Sequence, residues 1–294
     1  METLQNCPAC GSSEMTTHLQ AKDYTVSKNT FNIVRCAACD LLFTNPRPEA
    51  EQAGYFYQSE NYISHSNTQK GFINKLYHAV RKITLKQKTN LIQGEQKGTK
   101  NLLDIGCGNG HFLHACQQDG WNTFGMELDP ETAARAAALT GQSIFPNLQA
   151  IPEEPQFELI SLWHVLEHVY EIDAYFEFFK KRINAGGKLL LALPNSKSFD
   201  ANYFKEFWAA YDVPRHIYHF NPETIQSIAK KHGFKLAKQH GQIFDSFYIA
   251  LLSHEYKTGS KKLITSFFVG LWSNLMAYFK TGNYSSNIYI FEHA

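Results

Sequence analysis

Between Asn101 and Leu193 the chain repeats one rhythm: a short apolar run, a turn, then apolar residues at helical spacing. Asn101 to Ile105 reads as a strand opening into glycines, and His111 to Asp119 as a helix stopped by Gly120. A second strand, Asn122 to Met126, leads into the alanine-rich helix Glu131 to Leu139. Phe157 to Leu162 is a third run of strand character, and Ile172 to Ile183 is a helix ended by Asn184-Ala185-Gly186-Gly187. Lys188 to Leu193 is a strand closed by Pro194-Asn195. This alternation predicts an α/β fold with a parallel sheet and helices on both faces. In such sheets ligands bind beyond the carboxyl ends of the strands.

The flanks follow other patterns. Residues 1–48 are turn-rich and punctuated by cysteines, and they end at Asn45-Pro46-Arg47-Pro48, where the prolines stop regular structure; they read as a separate small module. Residues 49–95 form a helical lead-in, with Tyr55, Phe56, Tyr62, Phe72, Leu76, Val80 and Ile83 as its apolar positions, and Gln93 to Lys100, with Gly94 and Gly98, is the linker. The main domain is then 96–294. Within it, 197–222 is rich in aromatic residues and histidines, 223–231 is a helix, and Phe234 to Gln239 and Asn287 to Phe291 are strands. A helical insertion occupies about 244–283. Its stretch Leu263 to Phe279 places Phe267, Leu271, Leu275 and Tyr278 at helical spacing, interrupted by Thr265, Ser266, Ser273 and Asn274. That is short of the roughly 20 apolar residues a transmembrane helix needs. Such a stripe ordinarily packs on its own core or on a homodimer mate, with a lid over a greasy substrate or membrane contact as the alternatives.

Composition adds bounds. With 294 residues and 44% hydrophobic content the chain can bury a full core, and a formal net charge of +1 gives no general pull toward nucleic acid or anionic membrane. The opening METLQNCPACGSSE lacks a charged region followed by an apolar one, so a cytoplasmic location is expected. In a reducing compartment, Cys7-Pro-Ala-Cys10 and Cys36-Ala-Ala-Cys39 read as metal ligands. Each pair aims two sulfurs at one ion from a tight turn, and the 25 residues between Cys10 and Cys36 suffice for a hairpin. Four thiolates with no open position describe a structural zinc, with rubredoxin-like iron as the alternative. The module's cations, Lys22, Lys28, Arg35 and Arg47, are balanced by Glu2, Glu14, Asp23 and Asp40, a poor grip on phosphates. Substrate recognition, bracing of the helical segment and assembly all remain open as its purpose.

The glycine turn after the first strand, Leu103-Asp104-Ile105-Gly106-Cys107-Gly108-Asn109-Gly110, lets backbone approach a ligand closely at a helix start. A dinucleotide fingerprint would place its third glycine at position 111, which is His111, and the lysine and hydroxyl residue of a P-loop are absent. Glu127 ends the second strand, where a carboxylate can accept hydrogen bonds from both ribose hydroxyls. An adenosyl ligand without phosphates fits best.

That glycine run, Gly125-Met126-Glu127, Phe157-Glu158-Leu159-Ile160 and Gly186-Gly187-Lys188, taken in order across roughly residues 100–196, resemble the motifs of class I S-adenosylmethionine-dependent methyltransferases. The resemblance implies a Rossmann-like sheet with helices on both faces, here with an N-terminal zinc-ribbon-like module, and S-adenosyl-L-methionine as cofactor. It puts Asp104, Gly106, Gly108 and Gly110 around the methionine portion, Glu127 on the ribose, and Met126 and Leu128 beside the adenine. The family's acidic residue for the adenine amino group is replaced here by Asn147. Trp163 and His164 fall where the family places the transferable methyl, with simple packing as the other role for Trp163. Leu166-Glu167-His168 and Asp212-Val213-Pro214-Arg215-His216 resemble the small-molecule branch associated with sugar, polysaccharide or quinone biosynthesis. Zinc-bearing N-terminal modules occur both in families that methylate nucleotide-linked sugars and in some ribosomal RNA methyltransferases.

Methyl transfer is an in-line displacement in which the enzyme mainly aligns and dehydrates the partners. A hydroxyl or acidic-carbon acceptor benefits from a base near neutral pKa, for which the 13 histidines offer candidates. His164 and His168 follow one strand; Asp212, Arg215, His216 and His219 cluster with Tyr203, Trp208 and Tyr218 in the cover 197–222. The expected catalytic set is His216 as base, Arg215 on an acceptor carboxylate or phosphate, and His164 beside the methyl. Helix caps, core packing and an Asp212–Arg215 surface pair are the ordinary alternatives. The expected function is methyl transfer to oxygen or carbon of a small metabolite. An RNA acceptor chosen by the zinc module, or a non-catalytic metal-binding scaffold, are the competing readings.

Overall fold

The computed structural model describes residues 1–58, 72–93 and 100–294, with the backbone alone for 72–82. Tyr62 and the linker residues 94–99 therefore lie outside the described residues, as do the side chains of Phe72, Leu76 and Val80. The chain begins with an antiparallel ribbon, β1 (Met15–Lys22), β2 (Thr30–Cys36) and β3 (Leu42–Thr44), followed by a 3-10 helix, Ala50–Tyr57, and the long helix α1 (Phe72–Gln93). Then comes the alternation β4 (Asn101–Ile105), α2 (His111–Gln118), β5 (Asn122–Met126), α3 (Pro130–Thr140), β6 (Ile144–Phe145), β7 (Phe157–Trp163), α4 (Ile172–Arg182) and β8 (Ile183–Pro194). The remainder holds α5 (Phe199–Phe204), β9 (Tyr218–His219), α6 (Pro222–Lys231), β10 (Phe234–Gly241), α7 (Asp245–Thr258), α8 (Leu263–Met276) and β11 (Ser286–His293).

Seven strands form one sheet in the order β10-β11-β8-β7-β4-β5-β6, parallel except for β11, which runs antiparallel to both its neighbours. Leu102, Leu103, Ile105, Leu159, Ile160, Leu162 and Leu189 to Leu193 are all completely buried. Burial on both faces is why these strands read as continuous apolar runs instead of alternating ones. The chain winds outward from β4 to β5 and β6, then returns to β7 on the other side of β4. That reversal opens a crevice at the carboxyl ends of β4 and β7. The helices have local stop signals: Asp129 Oδ1 accepts from the Thr132 amide at 2.8 Å to start α3, and Asn221 with Thr224 forms a reciprocal cap on α6.

The N-terminal segment is less separate than its sequence suggests. β3 pairs with β9, Leu42 opposite His219 and Phe43 opposite Tyr218, so the ribbon's sheet is completed by a strand from the segment after β8. Cys7, Cys36, Leu41 and Phe43 share a core with Leu103 and Ile105.

The insertion also departs from expectation. It is two helices, broken at Gly259–Lys262, and α8 carries its polarity inside out. Ser273 Oγ donates to Asp200 Oδ1 at 2.8 Å, Ser266 Oγ lies 2.9 Å from His254 Nδ1, and the Asn274 side-chain amide donates to the Ile243 carbonyl at 2.9 Å. These buried bonds turn the polar stripe inward and leave Phe267 53%, Phe268 60% and Trp272 53% exposed. Among the described residues, most of the apolar stripe therefore does not pack on the chain's own core. No helix among the described residues is long and apolar enough to cross a membrane.

Candidate active site

At the carboxyl end of β4 the chain turns back so sharply that the amides of Gly106 and Cys107 both donate to the Met126 carbonyl, at 2.8 and 3.0 Å. Gly106 has φ +70°, and a Cβ there would lie 2.5 Å from Val165 Cγ2, so only glycine fits. At Gly108, φ +54°, an added Cβ would meet no atom of the described residues within 4 Å, so this backbone borders open space. Glu127 sits across from it: Oε2 accepts from the Gly108 amide and Oε1 from the Asp129 amide, each at 3.0 Å. The carboxylate is thereby fixed at the loop's mouth.

Beneath the loop, Asp104 is 2% exposed and accepts from Ser161 Oγ at 2.6 Å. Burial pushes its carboxyl up to about 7, against the Ser161 hydrogen bond and the nearby Lys88 ammonium. Met126 is buried, Leu128 is exposed, and Asn147 spends its side-chain oxygen accepting from the Ala150 amide at 2.9 Å. Trp163 ends β7 with its ring edge-on to Phe112 and with Lys88 Nζ 3.9 Å from its centroid. Its indole Nε1 is buried and has no partner among the described residues. Lys88, from α1, has its pKa lowered by burial, while Asp104 and Asp245 oppose that shift.

His164 follows at φ +57°, a conformation that costs a non-glycine residue energy and that its surroundings must enforce. Its amide donates to the Ala192 carbonyl at 2.9 Å, and its ring lies between Asp245 Oδ2 at 3.3 Å and Glu167 Oε1 at 3.5 Å. Burial alone would depress its pKa, but contacts with Asp245 and Glu167 carry it up to about 9. A pKa near 9 makes the protonated ring the favoured form at neutral pH, a positive charge beside the place expected for the methyl. A pKa raised above the ordinary 6.5 means the pairing stabilises fully below pH 6.5 and is lost as pH rises through about 9. Asp245→Asn should move the His164 ring titration, followed by NMR, well below 9; an unmoved midpoint would show that Asp245 is not its counter-ion.

The Glu167, His168 and His216 side chains converge, each offering a ligand atom within 4.8 Å of the others. The two rings meet edge to face at 4.7 Å. Burial and the neighbouring His216 lower His168 to about 4, so it is neutral. Glu167 is 1% exposed, and neither carboxylate oxygen has a hydrogen-bond partner among the described residues. His216 Nδ1 lies 2.9 Å from the Ala210 carbonyl.

Arg215, expected to grip an acceptor anion, does something else. It is 3% exposed; its guanidinium donates to Asp212 at 2.6 and 2.9 Å, to Asp23 at 3.2 Å and to the Phe56 carbonyl at 2.9 Å. Its charge is used internally. Trp208 donates to Asp200 at 2.7 Å, Tyr218 donates to the Tyr170 carbonyl at 3.2 Å, and His219 lies 3.2 Å from Thr44 Oγ1 with its pKa driven down by burial; all three are buried packing residues. Tyr203 is exposed.

The four paired cysteines are free thiols that gather at one point. Cys7 and Cys39 sulfurs are 3.6 Å apart, and those of Cys10 and Cys36 are 3.5 Å apart. Sulfurs placed tetrahedrally at zinc-thiolate distance from one ion are about 3.8 Å apart. The donor set fits a closed tetrahedral ion.

Sequence reasoning missed Lys88, Gln242 and Asp245, which reach the site from α1 and the β10–α7 corner, and it quoted Glu167 without giving it a role. Nothing local marks the first three, whereas Glu167 lay inside a recognised motif.

The sequence model of a family described as methyltransferase domain matches residues 77–239. No curated protein matches the sequence. Among solved structures, magnesium protoporphyrin IX methyltransferase from Synechocystis PCC 6803, with bound SAH, superposes with a TM-score of 0.51 at 15% identity, covering 79% of this chain and 91% of that one. Phosphoethanolamine N-methyltransferase 2 from Haemonchus contortus, in complex with S-adenosyl-L-methionine, gives 0.47 at 20% identity, covering 70% of this chain and 52% of that one. The cyclopropane synthase MmaA2 from Mycobacterium tuberculosis gives 0.47 at 17% identity, covering 70% and 82%.

Proposed function

The chain belongs to the methyltransferase-domain family, and we propose that it transfers a methyl group from S-adenosyl-L-methionine to an oxygen or carbon of a small metabolite. The observation that carries this reading is the pairing of the Gly106–Gly108 turn with the Glu127 carboxylate at the switch point of the sheet. S-adenosylmethionine would supply an electrophilic methyl on a sulfonium. Glu127, already accepting amide hydrogen bonds, can accept from ribose hydroxyls, and the glycine backbone lets the methionine portion approach. Asp104 lies beneath that turn. Met126 and Leu128 would border the adenine, and Asn147 retains only its side-chain amide for it.

Trp163, His164, Glu167, His168 and His216 line the side from which an acceptor would approach. His216 presents its second nitrogen as proton acceptor, while the His164 charge favours an anionic or ionising acceptor. His216→Ala should lower turnover about 100-fold or more with cofactor affinity intact. Unchanged turnover would remove it from the chemistry, and calorimetry showing no binding of S-adenosylmethionine or its demethylated product would sink the methyl-transfer reading itself.

We assign zinc to Cys7, Cys10, Cys36 and Cys39 as a structural ion bracing the acceptor segment through the β3–β9 pairing. In that ribbon Arg47 pairs with Glu2 at 2.7 Å and Arg35 with Asp40 at 3.5 Å, which leaves little positive charge for RNA and supports a small acceptor. The exposed apolar face of α8 is assigned to a second copy of the chain. Light scattering should then give a dimer mass that Phe267→Glu with Trp272→Glu halves; a monomeric parent protein would rule the assignment out.

A further inference from the structure

We propose that Glu167, His168 and His216 form a second metal site, distinct from the four cysteines, which takes a first-row divalent cation of the manganese, iron, cobalt or zinc group. Three observations converge. The ligand atoms of the three side chains lie within 4.8 Å of one another. Glu167 is 1% exposed with both carboxylate oxygens unpartnered among the described residues, its nearest counter-charge being His164 Nδ1 at 3.5 Å. The His164 ring answers that buried charge only in part, and carboxylate oxygens with no hydrogen bond among the described residues leave lone pairs for a cation.

The third observation is the hydrogen bonding behind the rings. His168 Nδ1 is 3.0 Å from the Arg215 carbonyl and His216 Nδ1 is 2.9 Å from the Ala210 carbonyl. A carbonyl can only accept, so each Nδ1 is inferred to carry the hydrogen, and each Nε2 keeps its lone pair. Tyr57 Oη, 2.9 Å from His168 Nδ1, completes that outer contact. Imidazoles that donate their rear N–H to a carbonyl and present neutral Nε2 are oriented as metal ligands are. Both rings are only partly buried.

Two imidazoles and one carboxylate favour a borderline cation over magnesium or calcium, which prefer all-oxygen cages. Its use would be to hold and acidify the acceptor's attacking hydroxyl. The hydroxyl proton leaves to solvent, the oxygen bonds to the methyl carbon, and the electron pair of the breaking carbon–sulfur bond stays with sulfur. That use rests on the methyl-transfer reading; cation binding does not. His216 then gives its lone pair to a cation instead of to a proton.

The test is Mn2+ titration of the full chain, zinc-loaded at its cysteines, followed by electron paramagnetic resonance, for the parent protein and for Glu167→Gln, His168→Gln and His216→Gln. One Mn2+ per chain is expected, with affinity in each folded variant reduced by at least the 10–100-fold typical of damaged metal shells. Folding is checked by thermal melting and by calorimetry with S-adenosylmethionine, so a variant that fails to fold is set aside and the others decide. Absence of Mn2+ binding to the parent, or equal affinity in every folded variant, overturns the site. Mn2+ binding without S-adenosylmethionine binding would keep the site and remove the methyl-transfer reading; the reverse result would do the opposite.

Discussion

Arg215→Met is expected to cost the fold about 3–5 kcal/mol, the range for a buried ion pair that loses one partner. Arg215 joins three segments: Asp23 in the β1–β2 connection, the Phe56 carbonyl in the 3-10 helix, and Asp212 three residues upstream. The Arg215 and Asp23 side chains are 1% and 0% exposed, so no water replaces what the substitution removes. Asp23 resists protonation: burial opposes its charge, yet the amides of Ser27 and Thr25, the Thr25 hydroxyl and Arg215 hold its carboxyl well below the usual range. After the substitution Asp23 keeps its turn amides, while Asp212 loses its counter-ion. Denaturant midpoints should fall at an unchanged slope, and adding Asp212→Asn to Arg215→Met, which removes the carboxylate left unpaired, should recover part of the loss. An unshifted midpoint together with weakened acceptor binding would return Arg215 to the anion-gripping role its sequence context suggested.

The difference between those two roles marks where the sequence ceases to be informative. β4 and β5 have the bounds that the sequence predicts: β4 because a strand buried on both faces reads as an apolar run up to its glycines, β5 because Gly120 stops the helix before it. The glycine turn is legible for a similar reason: its constraint is local backbone geometry. Arg215 is legible only in its pair with Asp212; its other two partners stand 192 and 159 residues away, and a charged side chain reads alike whether it faces a ligand or a buried aspartate. α8 misleads for a related cause. Periodicity locates the apolar stripe correctly, but the assumption that the stripe faces inward fails where Asp200, completely buried, draws Ser273 and Ser285 toward it at 2.8 and 2.7 Å. Lys88 and Asp245 meet around Trp163 and His164 through tertiary placement alone. Glu167 could have been assigned a role from its motif, because an acidic residue beside a histidine near a strand end is already half of a ligand set.

If the four cysteines hold the zinc assigned to them, removing it, by chelation or by Cys36→Ser, is expected to abolish turnover while leaving S-adenosylmethionine affinity within a few-fold of the parent's. Structural zinc contributes on the order of 10–16 kcal/mol to small folds of this kind, against about 5–15 kcal/mol for the stability of a whole domain, so the ribbon should not stay folded without it. Cys36 is completely buried at the end of β2. β2 pairs with β3 and β3 with β9, and Thr44 Oγ1 at the end of β3 donates to the His216 carbonyl at 2.9 Å. Loss of the ion should therefore spread along that path to His216, two residues before β9, and through the Arg215 carbonyl to His168. The glycine turn and Glu127 hang from β4 and β5 in the other sheet, whose pairings do not pass through the ribbon. Calorimetry on the metal-free protein reads the cofactor half, and single-turnover assays with the acceptor read the other. If turnover survives complete removal of zinc, the ribbon is an appendage and the histidines are held by the Rossmann-like sheet alone; if cofactor affinity collapses as well, the ribbon's shared core with Leu103 and Ile105 makes the two sheets one cooperative unit.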